Sequence, residues 1–309
     1  MINYAKLVEE KGYNSLWVAE HFPFRDAFVP LSAIAPITEK IKLGTAVINI
    51  YTRNPVQIGM KLATLDEASN GRIVLGIGTG SSRLENAGIS MKRPLTAIRE
   101  CITILRSLFA GEYTTYRGHT FNVKNVKLDF CLFRKYIPIY VAAVQKKMLQ
   151  LAGEIADGVI LTAYSSQSYI RYAIQNLMIG AERSGRKLRD IDIVCNIACS
   201  ISEDSKAVKK AIKPRIMRSL TKPMRGELMF QQDKEKLKQL ALMREALQRG
   251  DIDGALKNFS DEMVEMVSIA GKPEECKKRL EEYRTSGVNL PNIVPVTKDA
   301  GAIIETFKN

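Results

Sequence analysis

The chain has 309 residues, 46% of them apolar and 26% charged, the make-up of an ordinary globular protein. No apolar run approaches the ~20 residues that crossing a bilayer takes, and the opening MINYAKLVEEKGYN carries acids where a secretory leader would be apolar, so a spanning or exported reading is set aside. A formal net charge of +13 favours anionic partners: nucleic acid, a membrane surface, or a phosphorylated or carboxylated small molecule.

In chain order, NYAKLVEEKG puts Tyr4, Leu7 and Val8 on one helical face and stops at Gly12. SLWVAEH follows as a short buried strand. Residues 31–37 read as helix, IKLGTAVINI as strand, and PVQIGMKLATLDEASNG as a helix entered at Pro55. RIVLGIG is the next strand and PLTAIRECITILRSLFAG the next helix. Residues 112–130 alternate polar and apolar around Arg117 and Gly118, which predicts a β-hairpin insertion. IPIYVAA, DGVILTA and DIVCNIACSI are further strands, each followed by helical sequence. Residues 222–258, rich in Lys, Glu and Gln, predict a helical, lid-like insertion. LPNIVPV closes the series before a short terminal helix. No low-complexity linker divides the chain, so residues 1–309 read as one domain.

The strands number seven, near 14–20, 41–48, 72–77, 137–143, 157–162, 191–199 and 290–296. Their continuous apolar character suits a parallel sheet covered on both faces. A (β/α)8 TIM barrel needs eight, and the deficit lies at the front, where the chain opens on a helix that should follow a strand. The expectation is an α/β barrel whose first β-strand is missing from this chain, with ~15–20 further residues in the working protein. An open doubly wound sheet is the runner-up.

Five scattered cysteines (Cys101, Cys131, Cys195, Cys199 and Cys276) argue against a disulfide framework and for a reducing, cytoplasmic setting. No histidine or further cysteine completes a metal set around Cys195 and Cys199. From Lys206 to Arg225 there are eight basic residues and no acid. The run lacks the aromatics of a single-strand nucleic-acid platform. It reads first as a solvated helix face and second as an anion-collecting rim.

DEASNGRIVLGIGTG places Gly76, Gly78 and Gly80 at alternate positions. A dinucleotide loop needs G-x-G-x-x-G at the first strand-to-helix turn, and a P-loop needs a lysine; neither fits. Glycine at the end of a barrel strand lets backbone come close to a planar ligand, and that reading fits the position.

At this point the chain resembles the luciferase-like flavin and deazaflavin oxidoreductases, and within them the methylenetetrahydromethanopterin reductase branch. The resemblance rests on SLWVAEH, IKLGTAVINIYTRNPVQIG, ATLDEASNGRIVLGIGTG, PIYVAAVQKKMLQLAGEIADGVIL and SGVNLPNIVPV. It implies an insertion-bearing TIM barrel that holds coenzyme F420, with FMN as the alternative, at the strand C-termini. It also implies a strand bulge with a cis peptide between Ala46 and Val47 against the ring, and Asn49, Gly78 and Gly80 close by. The phosphate position implied is the turn Ala143, Val144, Gln145 and Lys146, where helix N-terminal amides stabilise an anion. Relatives carry a glycine in that turn and this chain does not; Lys146 and Lys147 either compensate by charge or are plain surface lysines.

His21 lies at a strand end, where barrel catalytic groups cluster, beside Glu20. Relatives have an acid-histidine pair there, usually Asp-His. Glu85, just past the glycines, is a further acid, or else a helix-start carboxylate favoured by the dipole. The implied chemistry is hydride transfer to or from a small-molecule substrate, with Glu20, His21 or Glu85 handling the proton. An FMN-dependent monooxygenase and a non-catalytic flavin-binding protein are the competing readings, and a homodimer is the assembly common among relatives. Nucleic acid and membrane are not expected partners.

Overall fold

Apolar runs become parallel strands, and the amphipathic stretches between them become helices. The computed structural model describes residues 2–20, 23, 25–80, 83–297 and 300–308. The chain falls into two units, one of residues 1–160, 176–192 and 308–309, the other of 161–175 and 193–307.

The first unit begins with α1 (Ile2–Glu10), β1 (Ser15–Val18), α2 (Phe28–Ile34), β2 (Lys42–Thr45) and β3 (Ile48–Asn49). It continues with α3 (Pro55–Ala68), β4 (Ile73–Gly78), α4 (Pro94–Ala110), β5 (Thr114–Arg117) and β6 (Asn122–Val126). Then come β7 (Ile139–Ala142), α5 (Lys146–Ile155) and β8 (Gly158–Leu161), followed by α6 (Gln167–Arg183). The strands pair in parallel in the order β1-β2-β4-β7-β8, with β3 also on β4. Every residue of β4 is buried, as a central strand covered on both faces must be. Leu43, Leu75 and Ile77 are fully buried, as are Ile58 and Leu62 of α3 and Ile98 and Leu105 of α4. Each such side chain contributes about 1.5–3 kcal/mol of burial.

Charged groups pin the connections. Glu9 of α1 accepts the N–H groups of Glu39, Lys40 and Ile41 ahead of β2. Burial pushes the Glu9 carboxyl up, but those bonds outweigh it and hold the carboxyl below its ordinary range. β5 and β6 form an antiparallel pair. Their turn hangs on Glu100 of α4, which accepts from the N–H groups of His119, Thr120 and Phe121 at 2.7–2.9 Å.

In the second unit, β9 (Asp192–Ile201) leads to α7 (Ser205–Leu220), α8 (Arg225–Met229), α9 (Lys234–Gln248), α10 (Ile252–Lys257) and α11 (Asp261–Val267). β10 (Ile269–Gly271), α12 (Pro273–Thr285), β11 (Leu290–Pro295) and α13 (Ala300–Thr306) complete it. Both β10 and β11 pair in parallel with β9. Asp204, Asp233, Asp251 and Ser260 cap their helices by accepting from backbone N–H groups three residues on. Lys209 pairs with Glu265, and Lys213 with Asp261 at 2.6 Å, which ties α7 to α11.

Two local features depart from the sequence expectation. The single strand expected over 41–48 is broken at Ala46 and Val47, whose peptide bond is cis as the resemblance implied. β10, three residues long, was too short to stand out as an apolar run. Among the described residues no helix is long and apolar enough to cross a membrane, and no group of His, Cys, Asp or Glu could hold a metal ion.

Candidate functional site

Glycines 76, 78 and 80 face residues 45, 47 and 49 one for one. A Cβ on Gly76 would stand 2.0 Å from the carbonyl oxygen of Thr45, and one on Gly78 would stand 2.8 Å from Val47 Cγ2. One on Gly80 would stand 2.2 Å from Asn49 Nδ2. Alternate residues of a strand share a face, so the repeat of glycines along β4 is the imprint of the broken neighbouring strand. Thr45 locks the contact: its Oγ1 donates to Gly76 O at 2.8 Å and accepts from Gly76 N at 2.9 Å. Gly80 also has φ +86°, which a side chain would strain.

The seat lies where β3, β4 and β7 end. Gly78 pairs with Asn49 in β3, and its missing side chain lets Val47 and Ala142, the last residue of β7, pack against the strand. Ala143, Val144 and Gln145 follow directly, and α5 starts at Lys146 without a side-chain cap from Gln145. Ala143 is buried and Lys146 is exposed. Asn49 is buried; its Oδ1 accepts from Tyr51 N at 2.7 Å, while its Nδ2 is shut off from solvent with no acceptor among the described residues. Donors enclosed in this way are rare in native structures and point to a missing partner.

A hydrogen-bond chain runs from Asn49 to Glu20. Thr52 Oγ1 donates to Asn49 O at 3.0 Å and accepts from Arg53 Nη1 at 3.1 Å. Arg53 then forks onto both oxygens of Glu20, at 2.6 and 2.8 Å, and reaches Asp26 as well. The side chains of Arg53 and Glu20 are only 14% and 10% exposed, so this pair is largely shielded from water. Burial alone would lower the basicity of Arg53; the bonds from Glu20 and Asp26 reverse that and raise it. Burial also pushes the Asp26 carboxyl up, and the Val29 and Phe28 N–H groups together with Arg53 bring it below its usual range.

The structure thus brings together Glu20, Ala46, Val47, Asn49, Gly78, Gly80 and the turn from Ala143 to Lys146. Glu85 opens an exposed 3-10 turn, and among the described residues no hydrogen bond or ion pair ties its carboxylate to that group. His21 lies outside the described residues. Asp26 and Thr45 escaped the sequence reading. Their partners stand 27 and 31 residues away, and no local pattern marks them. At the opposite, N-terminal strand ends lies a cavity of about 350 Å³, whose Arg72, Arg134 and Asp157 are already engaged with neighbouring protein groups.

The residues at the strand ends suit a flat ring with polar edges: the half-buried Ala46 and Val47 at the strand break, one amide donor unclaimed among the described residues, and an uncapped helix start for an anionic tail. Residues 1–290 match the family described as luciferase-like monooxygenase. The 5,10-methylenetetrahydromethanopterin reductase of Methanolobus tindarius is 33% identical over 93% of this chain and 87% of its own. The F420-dependent glucose-6-phosphate dehydrogenase of Amycolatopsis mediterranei is 24% identical over 94% and 86%. Among solved structures, the coenzyme F420-dependent tetrahydromethanopterin reductase of Methanopyrus kandleri superposes with a TM-score of 0.82 at 28% identity, covering 99% of this chain and 92% of that one.

Proposed function

The chain belongs to the luciferase-like monooxygenase family and has the barrel fold of its F420-dependent members rather than an open doubly wound sheet, and from that premise we propose that it moves hydride between coenzyme F420 and a small organic substrate. A methylene-tetrahydropterin is the first substrate to test, because that is what the names of its similar relatives indicate. The observation that carries the reading is the enclosed Asn49 amide, without an acceptor among the described residues, beside the half-buried Ala46 and Val47 at the strand break.

In this reading Ala46 and Val47 wall one face of the ring. Gly78 and Gly80 let it approach at backbone level, and Asn49 Nδ2 donates to a polar ring edge. The turn Ala143, Val144, Gln145 and Lys146 takes the phosphate at the start of α5. When bound, the deazaflavin supplies or accepts the hydride. The chain aligns the two partners and keeps water out.

Glu20 is bonded on both oxygens, so it serves as an anchor. Through Arg53 it is tied to Asp26 and, through Thr52, to the position of Asn49. Proton handling then falls to Glu85, whose carboxylate is exposed, and to His21.

Anaerobic mixing of the full chain with reduced coenzyme F420 and methylene-tetrahydromethanopterin tests this directly. Substrate-dependent return of the oxidised deazaflavin absorbance is the expected result. Oxygen uptake with reduced FMN, and no turnover of the deazaflavin, would replace this reading with the monooxygenase one.

A further inference from the structure

In the second unit, Arg225 begins α8 and reaches the loop that follows β8. Its Nη2 donates to Thr162 Oγ1 and, at 3.0 Å, to Ala163 O. Its Nε is shut off from solvent without an acceptor. Neither Nε nor Nη1 has a hydrogen-bond acceptor, and no carboxylate pairs with the guanidinium, among the described residues. Burial lowers its basicity, and the groups acting against that are the phenols of Tyr164 and Tyr169 rather than acids.

Several other part-buried arginines are treated differently. Arg53 forks onto Glu20, Arg106 meets Asp157, Arg134 meets Asp66 and Arg244 meets Glu227. Arg72 lacks a carboxylate but spends its nitrogens on the oxygens of Ala35, Thr38, Ile41 and Ser69. A desolvated cation left without an anion costs stability unless something else neutralises it.

The surroundings of Arg225 are rigid. Ser165 Oγ donates to Thr162 O at 2.6 Å, and Tyr283 Oη to Ser165 O at 3.1 Å. Ser166 Oγ reaches Met229 O at the far end of α8. Arg244 holds Thr221 O and Lys222 O at 3.0 Å, just ahead of Arg225, while bridging to Glu227. Tyr164, in the same loop, has φ +66°, a conformation that non-glycine residues adopt at a cost and that clusters at functional sites. The loop also starts at the C-terminal end of a barrel strand, the end that carries ligands in this architecture. Where the basic run from Lys206 spends Lys209 and Lys213 on Glu265 and Asp261, Arg225 keeps its charge unanswered.

We propose that Arg225 is an anion receptor, taking a carboxylate or phosphate oxygen of a bound small molecule on its unclaimed donors. The charge argument stands by itself; that the oxyanion belongs to the substrate or the coenzyme rests on the oxidoreductase reading. Preorganisation of the cation limits what binding costs.

The test melts the full-length wild-type chain and Arg225→Gln in rising inorganic phosphate, with chloride holding the ionic strength constant. Wild type should gain thermal stability with phosphate, as any ligand of the folded state confers, and the variant should gain less. The variant also gives up the bonds to Thr162 and Ala163, so each protein's gain is read against its own melting point without phosphate. A wild type indifferent to phosphate, or a variant that responds as strongly, overturns the proposal. Titration with coenzyme F420 then identifies the source. Binding about tenfold weaker in the variant assigns the oxyanion to the coenzyme, and unchanged binding assigns it to the substrate. Failure of the oxidoreductase reading shows separately, as a wild type that binds no F420 yet keeps its phosphate response.

Discussion

Gly76→Ala and Gly78→Ala separate two jobs of the glycine strip. A methyl on Gly76 would lie 2.0 Å from Thr45 O and 2.8 Å from Ile160 Cδ1. A carbonyl fixed in a sheet cannot retreat, so β2 must move off β4 and both Thr45–Gly76 hydrogen bonds are lost with it. Overpacking costs ~1–3 kcal/mol and each lost bond ~1 kcal/mol, so Gly76→Ala should lose about 3–5 kcal/mol. At Gly78 the methyl meets Val47 Cγ2 at 2.8 Å and Ala142 Cβ at 3.3 Å. A side chain can yield where a carbonyl cannot, so the fold should lose only about 1–2 kcal/mol. Val47, however, is pushed into the space proposed for the ring, and F420 affinity should fall about tenfold. Urea unfolding at unchanged slope reads the first effect, and coenzyme fluorescence reads the second. Gly76→Ala within about 0.5 kcal/mol of wild type, or Gly78→Ala binding coenzyme normally, would refute the reasoning.

Asn49→Asp keeps an acceptor for Tyr51 N but replaces the orphaned donor with a carboxylate oxygen. F420 binding should weaken by more than about tenfold, and thermal stability should fall as well because the new carboxylate is enclosed without a donor; intact binding would remove Asn49 from the site. Glu20→Gln breaks the fork from Arg53 and should cost about 2–3 kcal/mol in unfolding free energy. As an anchor it should leave the shape of the pH–rate profile intact, and loss of a limb would make Glu20 a proton carrier instead. For Glu100, burial raises the carboxyl and the three N–H bonds outweigh it, so its folded value lies below the ordinary 4.5. The stability it adds is therefore full above that ordinary value and drains away as pH falls through the folded one. The gap between wild type and Glu100→Gln, about 2 kcal/mol at neutral pH, should close over that acid range; a gap independent of pH contradicts the assignment.

Features set by neighbours in sequence were legible in it. Apolar runs at 72–77 and 191–199 correspond to β4 and β9, and the alternation over 112–130 corresponds to the β5–β6 pair. The break between β2 and β3 was not readable locally, since TAVIN scans as plain strand; only the family resemblance located it at Ala46 and Val47. The alternating glycines posed a question that β4 alone could not answer, because their reason is the path of residues 45–49 beside them. Pairings at a distance were invisible for the same physical reason. Glu20 meets Arg53 33 residues away, and Glu100 receives the hairpin turn 19–21 residues away. Arg225 looked like part of a solvated basic face, and only the lack of an acid around it sets it apart.

The claim on which the rest turns is that the strand ends around Val47, Asn49 and Gly78 seat a deazaflavin ring. Equilibrium titration of the full chain with coenzyme F420 and, in parallel, with FMN measures this most directly. Saturable F420 binding that FMN does not displace, weakened by Asn49→Asp and by Gly78→Ala, is the result expected. Tighter binding of FMN, or F420 binding that neither substitution alters, would contradict it.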